Sequence, residues 1–173
     1  MLPEHPALAR DGTQVITAED LRDYPARRRG VRLHVEKSCV RRSAEMRSLP
    51  IRWQRLVKDG RTCTRCGNTE LEVRRAADTL RQVLAPLGIQ PHLEVTEVEE
   101  TAFVASPLES NRIWLADRPM EDWLNGSVGT SRCCSVCGDS DCRTLEIRGT
   151  TFETIPESLI VKAGLLAAAE LLG

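Results

Sequence analysis

The sequence has few aromatic residues, few lysines and no long hydrophobic run. Only 3% of its 173 residues are aromatic, and only three are lysine. No stretch is apolar enough to cross a bilayer as a helix, so we expect no membrane partner. The formal net charge is -1, and basic residues do not alternate with aromatic ones, so we expect no nucleic-acid partner.

Two catalytic signatures and an export signature are also missing. The sequence contains no glycine-rich phosphate-binding loop, and no histidine adjoins a cysteine cluster, so neither a P-loop enzyme nor a Cys–His hydrolase is indicated. The first ten residues carry proline, histidine and glutamate in place of an apolar run, so we expect no secretory signal and a cytoplasmic location. Cysteines stay reduced in that compartment, where they serve catalysis, sensing or metal binding more often than structure.

The length of the chain suits one domain with a core and is short for two. Residues 1–46 are rich in arginine and proline and show little apolar periodicity. We interpret them as a flexible N-terminal extension, or as residues that precede the true start, because Met46 stands directly before the first regular pattern. Residues 47–173 are assigned to a single folded domain.

The regular pattern that follows predicts a strand–helix–strand unit. Alternating residues over 51–57 indicate a strand, and Asp59-Gly60 indicates a turn. Thr69 and Glu72 have the spacing of a capping box and predict a helix that begins near Thr69, after Cys66, and ends near residue 85. Its apolar stripe comprises Leu71 or Val73, Ala76, Ala77, Leu80, Val83 and Leu84. A second strand over 93–98 is expected to lie parallel to the first, because the connections are short.

The second half of the chain has a different rhythm, with more strands than helices. The predicted elements are a strand over 112–116, a helical turn or strand over 120–124, a cysteine-rich loop over 125–142, a hairpin with strands over 144–148 and 151–155, and a final apolar helix whose first residue is Pro156.

The first cysteine cluster is Cys63-Thr64-Arg65-Cys66, between the first strand and the helix. A Cys-x-x-Cys pair inside a strand–helix–strand pattern is typical of a thiol redox site. Two thiols at this spacing can close a disulfide, and a nearby helix N-terminus stabilises the attacking thiolate. Arg65 adds a positive charge that would favour the thiolate of Cys63. The same spacing is also half of many zinc sites, and redox chemistry is favoured here because of the fold context.

The second cluster is formed by Cys133, Cys134, Cys137 and Cys142, within ten residues of a polar loop. Four thiolates suit structural zinc, and thiolate-rich loops also suit copper(I), mercury or arsenic. The loop could instead relay a disulfide to or from the first pair. The spacing leaves metal binding and relay both open.

Four stretches of the chain carry a resemblance to a known family. They are Ile51–Val57, Cys63–Gly67, Ser106-Pro107 and Cys142–Leu145. Through them, residues 47–172 resemble a bacterial thioredoxin-like family of unknown function within the thioredoxin superfamily. The resemblance covers about three quarters of the chain. No tryptophan precedes the cysteine pair, where thioredoxins proper have one.

The resemblance implies a role for three residues. Cys63 would be the nucleophilic and more exposed thiol, and Cys66 the buried resolving thiol. Pro107 would be a cis-proline that lies against the disulfide. The capping box, however, places the helix start after Cys66, so the helix dipole would act on Cys63 from a distance.

We therefore expect an α/β protein with a single thioredoxin-like domain, in which a βαβ unit is followed by strands, a hairpin and a C-terminal helix, with a cysteine-rich insertion. The leading hypothesis is thiol–disulfide exchange with a protein dithiol or disulfide partner, without a cofactor. The alternative is the binding or sensing of zinc or another thiophilic metal or metalloid through the second cluster.

Overall fold

The computed structural model describes residues 46–132, 137, 138 and 140–173. Nearly all of the predicted N-terminal extension, together with Cys133 and Cys134, lies outside the described residues. Within the described part the chain is a mixed α/β structure with two sheets. Its strands are β1 (Arg47–Leu56), β2 (Ile89–Val98), β3 (Arg112–Leu115), β4 (Arg118–Pro119), β5 (Ser127–Arg132), β6 (Asp141–Ile147) and β7 (Thr150–Phe152). Its α-helices are α1 (Thr64–Leu84), α2 (Glu100–Ala105), α3 (Met120–Leu124) and α4 (Glu157–Leu172).

The larger sheet has the strand order β2-β1-β3-β4. Strands β1 and β2 are parallel along their whole length, from the pair Arg47 and Ile89 to the pair Leu56 and Val98, which confirms the predicted parallel unit. Strand β3 returns antiparallel to β1, and β4 is antiparallel to β3. The end of β1 therefore lies in the middle of the sheet, next to the start of β3.

The core lies between this sheet and two helices. Leu49, Ile51 and Trp53 alternate along β1 and are fully buried. Helices α1 and α4 pack against each other, α1 contacts β1 and β2, and α4 contacts β1 and β3. The predicted stripe of α1 is confirmed at Val73, Ala76, Ala77, Leu80 and Leu84. Leu71 and Val83 are instead exposed.

Helix α1 begins five residues earlier than the capping box predicted. Its N-cap is Cys63, and Thr64 is the first helical residue. Thr69 lies inside the helix, fully buried, and its hydroxyl accepts a hydrogen bond of 3.2 Å from the N–H of Ile155. The prediction was wrong because Thr69 satisfies a distant backbone donor, while a sulfur caps the helix.

The smaller sheet has the order β5-β6-β7, with both pairs antiparallel. The predicted hairpin between β6 and β7 is confirmed, and its turn residues Arg148 and Gly149 both have positive φ, as a tight two-residue turn requires. The predicted cysteine-rich loop is shorter than expected, because its first part forms β5 and its last residues belong to β6. Helix α4 begins one residue later than predicted, with Pro156 as its N-cap.

The described residues contain no helix that is both long enough and apolar enough to cross a membrane.

Candidate thiol site

The connection between β1 and α1 carries Cys63 back to the end of the central strand. The segment Lys58–Arg61 is closed by two backbone hydrogen bonds of 2.9 Å, with Asp59-Gly60 at its tip in left-handed conformation. The hydroxyl of Thr62 then donates to the carbonyl of Leu56 at 2.9 Å. This tight return leaves Cys63 at the first turn of α1.

Cys63 caps the helix with its side chain. Its backbone is extended (φ -72, ψ 158), its sulfur accepts from the N–H of Cys66 at 3.4 Å, and its carbonyl accepts from the N–H of Gly67 at 2.8 Å. The helix that follows is 21 residues long. The positive end of its dipole therefore acts directly on the Cys63 sulfur, where it favours negative charge.

Cys66 is buried in the same turn, and its pKa is raised, so it keeps its proton. A hydrogen bond to the Cys63 sulfur is the largest cause that raises the pKa of Cys66, followed by burial and by the charge of Cys63. The hydroxyl of Ser110, 3.7 Å from the Cys66 sulfur, acts in the opposite direction. The two cysteines therefore have different roles. Cys66 donates a hydrogen bond from its thiol to the Cys63 sulfur, and the Cys63 sulfur caps the helix.

Both sulfurs are inside the protein. Cys63 is 2% exposed and Cys66 is 3% exposed, and both are in the thiol form. The prediction that Cys63 is the more exposed thiol was wrong, because its sulfur turns inward to cap the helix and packs in the core.

Two polar residues directly before β3, Ser110 and Asn111, were missed by the sequence analysis. Ser110 is 1% exposed and accepts from the N–H of Leu56 at 2.9 Å. Asn111 accepts from Nε1 of Trp53 at 3.3 Å and donates to the carbonyl of Glu153 at 3.2 Å. They connect the central strand to the cysteine pair and to the β6–β7 hairpin region. The sequence feature that could have indicated them is a pair of small polar residues directly before an apolar strand.

Pro107 does not have the expected conformation. The Ser106–Pro107 peptide bond is trans. Pro107 opens a 3-10 turn, and its carbonyl accepts from the N–H of Ser110 at 3.2 Å. The prediction of a cis-proline was wrong because the chain enters β3 through this turn, and Ser110 is the residue whose side chain reaches Cys66.

Arg65, inside the motif, links the helix to the smaller sheet. Its guanidinium lies 3.0 Å from the carboxylate of Glu153 and donates to the carbonyl of Arg132 at 3.1 Å. Its charge is therefore balanced by Glu153, so it acts as a tether between the two cysteine-bearing regions rather than as an unopposed positive charge next to Cys63.

One member of the second cluster, Cys137, belongs to the same hydrophobic core as the first pair. Cys137 is buried, and its charge adds to the causes that raise the pKa of Cys66. Cys142 is buried in β6, opposite Ser131 of β5. The other two predicted ligands, Cys133 and Cys134, lie outside the described residues. In the part of the chain that the structure describes, no three histidine, cysteine or acidic side chains are arranged to hold a metal ion.

Comparison with known proteins places these residues inside a span matched by a family model. The model of the family described as a domain of unknown function, DUF2703, matches residues 49–164. An uncharacterised protein of Archaeoglobus fulgidus is 42% identical over 112 residues, which cover 65% of this chain and 82% of that protein. No solved structure matches. The matched span contains the whole cysteine site, from β1 through β6, and the chain belongs to the DUF2703 family.

Proposed function

We propose that this protein carries out thiol–disulfide exchange, with Cys63 as the attacking thiol and Cys66 as the resolving thiol. The observation that carries the proposal is the cap of α1, where the Cys63 sulfur accepts from the N–H of Cys66 at 3.4 Å. A sulfur in this position is stabilised as a thiolate by the helix N-terminus, and the thiolate is the nucleophile in exchange.

The proposal includes a thioredoxin-like domain. The arrangement in support is a parallel βαβ unit with a Cys-x-x-Cys pair at the start of its helix, continued by two antiparallel strands and closed by a C-terminal helix. A Cys-x-x-Cys pair next to a βαβ unit is a thioredoxin-like signature. The β5-β6-β7 sheet is then an insertion between β4 and α4.

The exchange proceeds in two steps. The Cys63 thiolate attacks one sulfur of a target disulfide, the target S–S bond breaks, and one target sulfur leaves as a thiolate. Cys66 then attacks the Cys63 sulfur of this mixed disulfide and releases the second target thiolate. The target gains two electrons, and the protein keeps a Cys63–Cys66 disulfide.

The groups around Cys66 support this order of the two steps. Before the first step, the Cys63 sulfur accepts a hydrogen bond from the Cys66 thiol and holds the pKa of Cys66 high. Once Cys63 is bonded to the target, it carries no negative charge, so one cause of the raised pKa of Cys66 disappears and the hydrogen bond to the Cys63 sulfur, the largest cause, weakens. The Ser110 hydroxyl, which lowers the pKa of Cys66, remains in place. Cys66 therefore becomes a better nucleophile only after the mixed disulfide has formed.

The test is a redox titration of the full chain. The reduced protein is equilibrated in dithiothreitol buffers of defined potential, quenched with acid, alkylated and mapped by peptide mass spectrometry. We expect one reversible Cys63–Cys66 disulfide, with a midpoint between about -300 and -120 mV, which is the range of known exchange proteins and lies above that of typical structural disulfides.

The controls are two single variants. Cys63→Ser should remove this disulfide, and Cys142→Ser, which removes a buried thiol from β6, should leave it unchanged. If the wild-type pair stays reduced across the whole range, or closes a disulfide that cannot be reduced again, the proposed function is wrong.

A further inference from the structure

A cavity of about 180 Å³ lies where the end of β1 meets α2. Its wall is apolar on one side, with Leu56, Phe103 and Val104, and carries the Lys58–Glu100 ion pair on another. Cys137, Gly138 and Ser140 complete the lining. A cavity of this size is smaller than the ~300–1,000 Å³ of typical small-molecule pockets, so it suits only the end of a ligand.

Leu56 connects this cavity to the cysteine pair. Its side chain lines the cavity, while its backbone N–H donates to Ser110 and its carbonyl accepts from Thr62, both at 2.9 Å. Ser110 contacts Cys66, and Thr62 directly precedes Cys63. Leu56 and Ser110 thus form a chain of contacts from the cavity wall to Cys66.

Of the described cysteines, it is Cys137 that lines the cavity. Cys137 belongs to the same hydrophobic core as Cys63 and Cys66, and its charge is the smallest of the causes that act on the pKa of Cys66, which it raises. Cys63, Cys66 and Cys137 are 2%, 3% and 7% exposed, and of the three it is Cys137 that lines the cavity.

We propose that Cys137 is a third redox cysteine, which takes over the disulfide from the Cys63–Cys66 pair and presents it to a small dithiol that enters the cavity. This inference rests on the proposed function and adds to it the step by which the oxidised pair is reduced again.

The transfer within the protein is a thiol–disulfide exchange without net change in oxidation. The Cys137 thiolate attacks the Cys66 sulfur of the Cys63–Cys66 disulfide. A Cys66–Cys137 bond forms, the Cys63–Cys66 bond breaks, and Cys63 leaves as a thiolate. Cys63 is the better leaving group because the N-terminus of α1 stabilises its negative charge, and stabilised thiolates leave faster.

The external dithiol then completes the cycle. Its first thiolate attacks the Cys137 sulfur from the cavity, and Cys66 leaves and regains its proton. Its second thiolate attacks the external sulfur of this mixed disulfide, closes the dithiol into a disulfide and releases Cys137 as a thiolate. The dithiol loses two electrons, and the Cys63–Cys66 pair gains them.

The first test maps the predicted bond directly. Full-length Cys63→Ser is oxidised with diamide, which accepts the two electrons and two protons, and its disulfides are mapped by mass spectrometry. We expect a Cys66–Cys137 disulfide, and we expect its loss in Cys63→Ser/Cys137→Ala. A Cys66 that stays a thiol, or one that bonds to a different cysteine, would overturn the proposal.

The second test measures the reduction of the oxidised wild-type protein by dithiothreitol, with acid quenching and alkylation. Cys137→Ala should slow it at least about tenfold, because a positioned intramolecular thiol is replaced by direct attack on a buried disulfide. Cys142→Ala, the matched buried cysteine, should keep the wild-type rate. Reduction of Cys137→Ala at the wild-type rate would refute the role of Cys137 and leave the proposed exchange intact.

A failure of the proposed function gives a different result. The wild-type protein would then form no reversible Cys63–Cys66 disulfide, whereas the crosslink experiment in Cys63→Ser would still report on Cys137 by itself.

Discussion

The raised pKa of Cys66 predicts that the reduced protein loses stability in alkaline solution. In the unfolded chain this thiol ionises near its ordinary pKa of 9.0. In the folded chain the hydrogen bond to Cys63, burial and the charge of Cys63 hold its pKa higher. Below pH 9 both states carry the proton, so the full stability is present. Above pH 9 the unfolded chain releases the proton first, so stability falls as the pH rises toward the folded pKa.

The size of the effect follows from the linkage of protons to folding. Because the unfolded state binds one proton fewer than the folded state, the free energy of unfolding falls by about 1.4 kcal/mol per pH unit well above pH 9. With an unfolded pKa of 9.0, the loss relative to neutral pH reaches about 1.4 kcal/mol at pH 10. Cys66→Ala lacks this thiol, so its stability curve should be flatter than that of the wild type by that amount.

The assay is urea unfolding with a phosphine reductant at several pH values from 8 to 10.5, followed by tryptophan fluorescence. The buried Trp53 in β1 reports on the core. A wild type with its Cys63–Cys66 disulfide closed is a second control, because neither thiol can then titrate. If reduced wild type and Cys66→Ala lose stability in parallel above pH 9, then Cys66 ionises freely in the folded protein and the proposed hydrogen bond to Cys63 is wrong.

Three further predictions concern stability and are measured by urea unfolding at neutral pH. Thr69→Val should cost about 1–3 kcal/mol, because it leaves the buried N–H of Ile155 without its acceptor; no loss would mean that this hydrogen bond is replaced. Gly164→Ala should destabilise by about 1–3 kcal/mol, partly offset by the helix propensity of alanine, because the new Cβ would lie 2.5 Å from a fully buried leucine of α1; a gain in stability would show that α1 and α4 can separate. Glu121→Gln should cost about 3–5 kcal/mol, because Arg143, 2.5 Å away and buried, loses its counter-charge; Glu121→Gln/Arg143→Met should recover part of the loss, and an additive double variant would contradict the pairing.

Features that depend on local periodicity were predictable from the sequence. The strand β1, the apolar stripe of α1, the parallel pairing of β1 with β2 and the β6–β7 hairpin all follow from alternation, helical spacing and turn residues. Each of these patterns lies within one or two short segments of the chain, so it can be recognised without knowing which distant residues come into contact.

Features that depend on distant partners were not predictable. Thr69 has the spacing of a capping residue, but its hydroxyl is used by Ile155, 86 residues away in the chain. Ser110 gains its importance only because β3 returns beside β1 and brings it against Cys66. The X-Pro motif predicted that Pro107 lies against the cysteine pair, whereas the residue that contacts Cys66 is Ser110, three residues later. No local pattern could show that Cys137 joins Cys63 and Cys66 in the hydrophobic core, because that depends on the tertiary fold.

Cys66 takes part in both the proposed exchange and the proposed transfer to Cys137. Cys63 reaches it from the helix cap, Ser110 reaches it from the turn before β3, and Cys137 belongs to the same hydrophobic core. In the proposed cycle Cys66 first resolves the mixed disulfide on Cys63 and then passes its bond to Cys137. Replacing Cys63 should therefore abolish attack on the target yet leave the Cys66–Cys137 crosslink. Replacing Cys66 should abolish the crosslink but leave the attack, so a mixed disulfide is trapped on Cys63. A Cys66→Ala variant that releases its target as fast as the wild type would show that a different thiol resolves Cys63, and the assignment of the pair would fail.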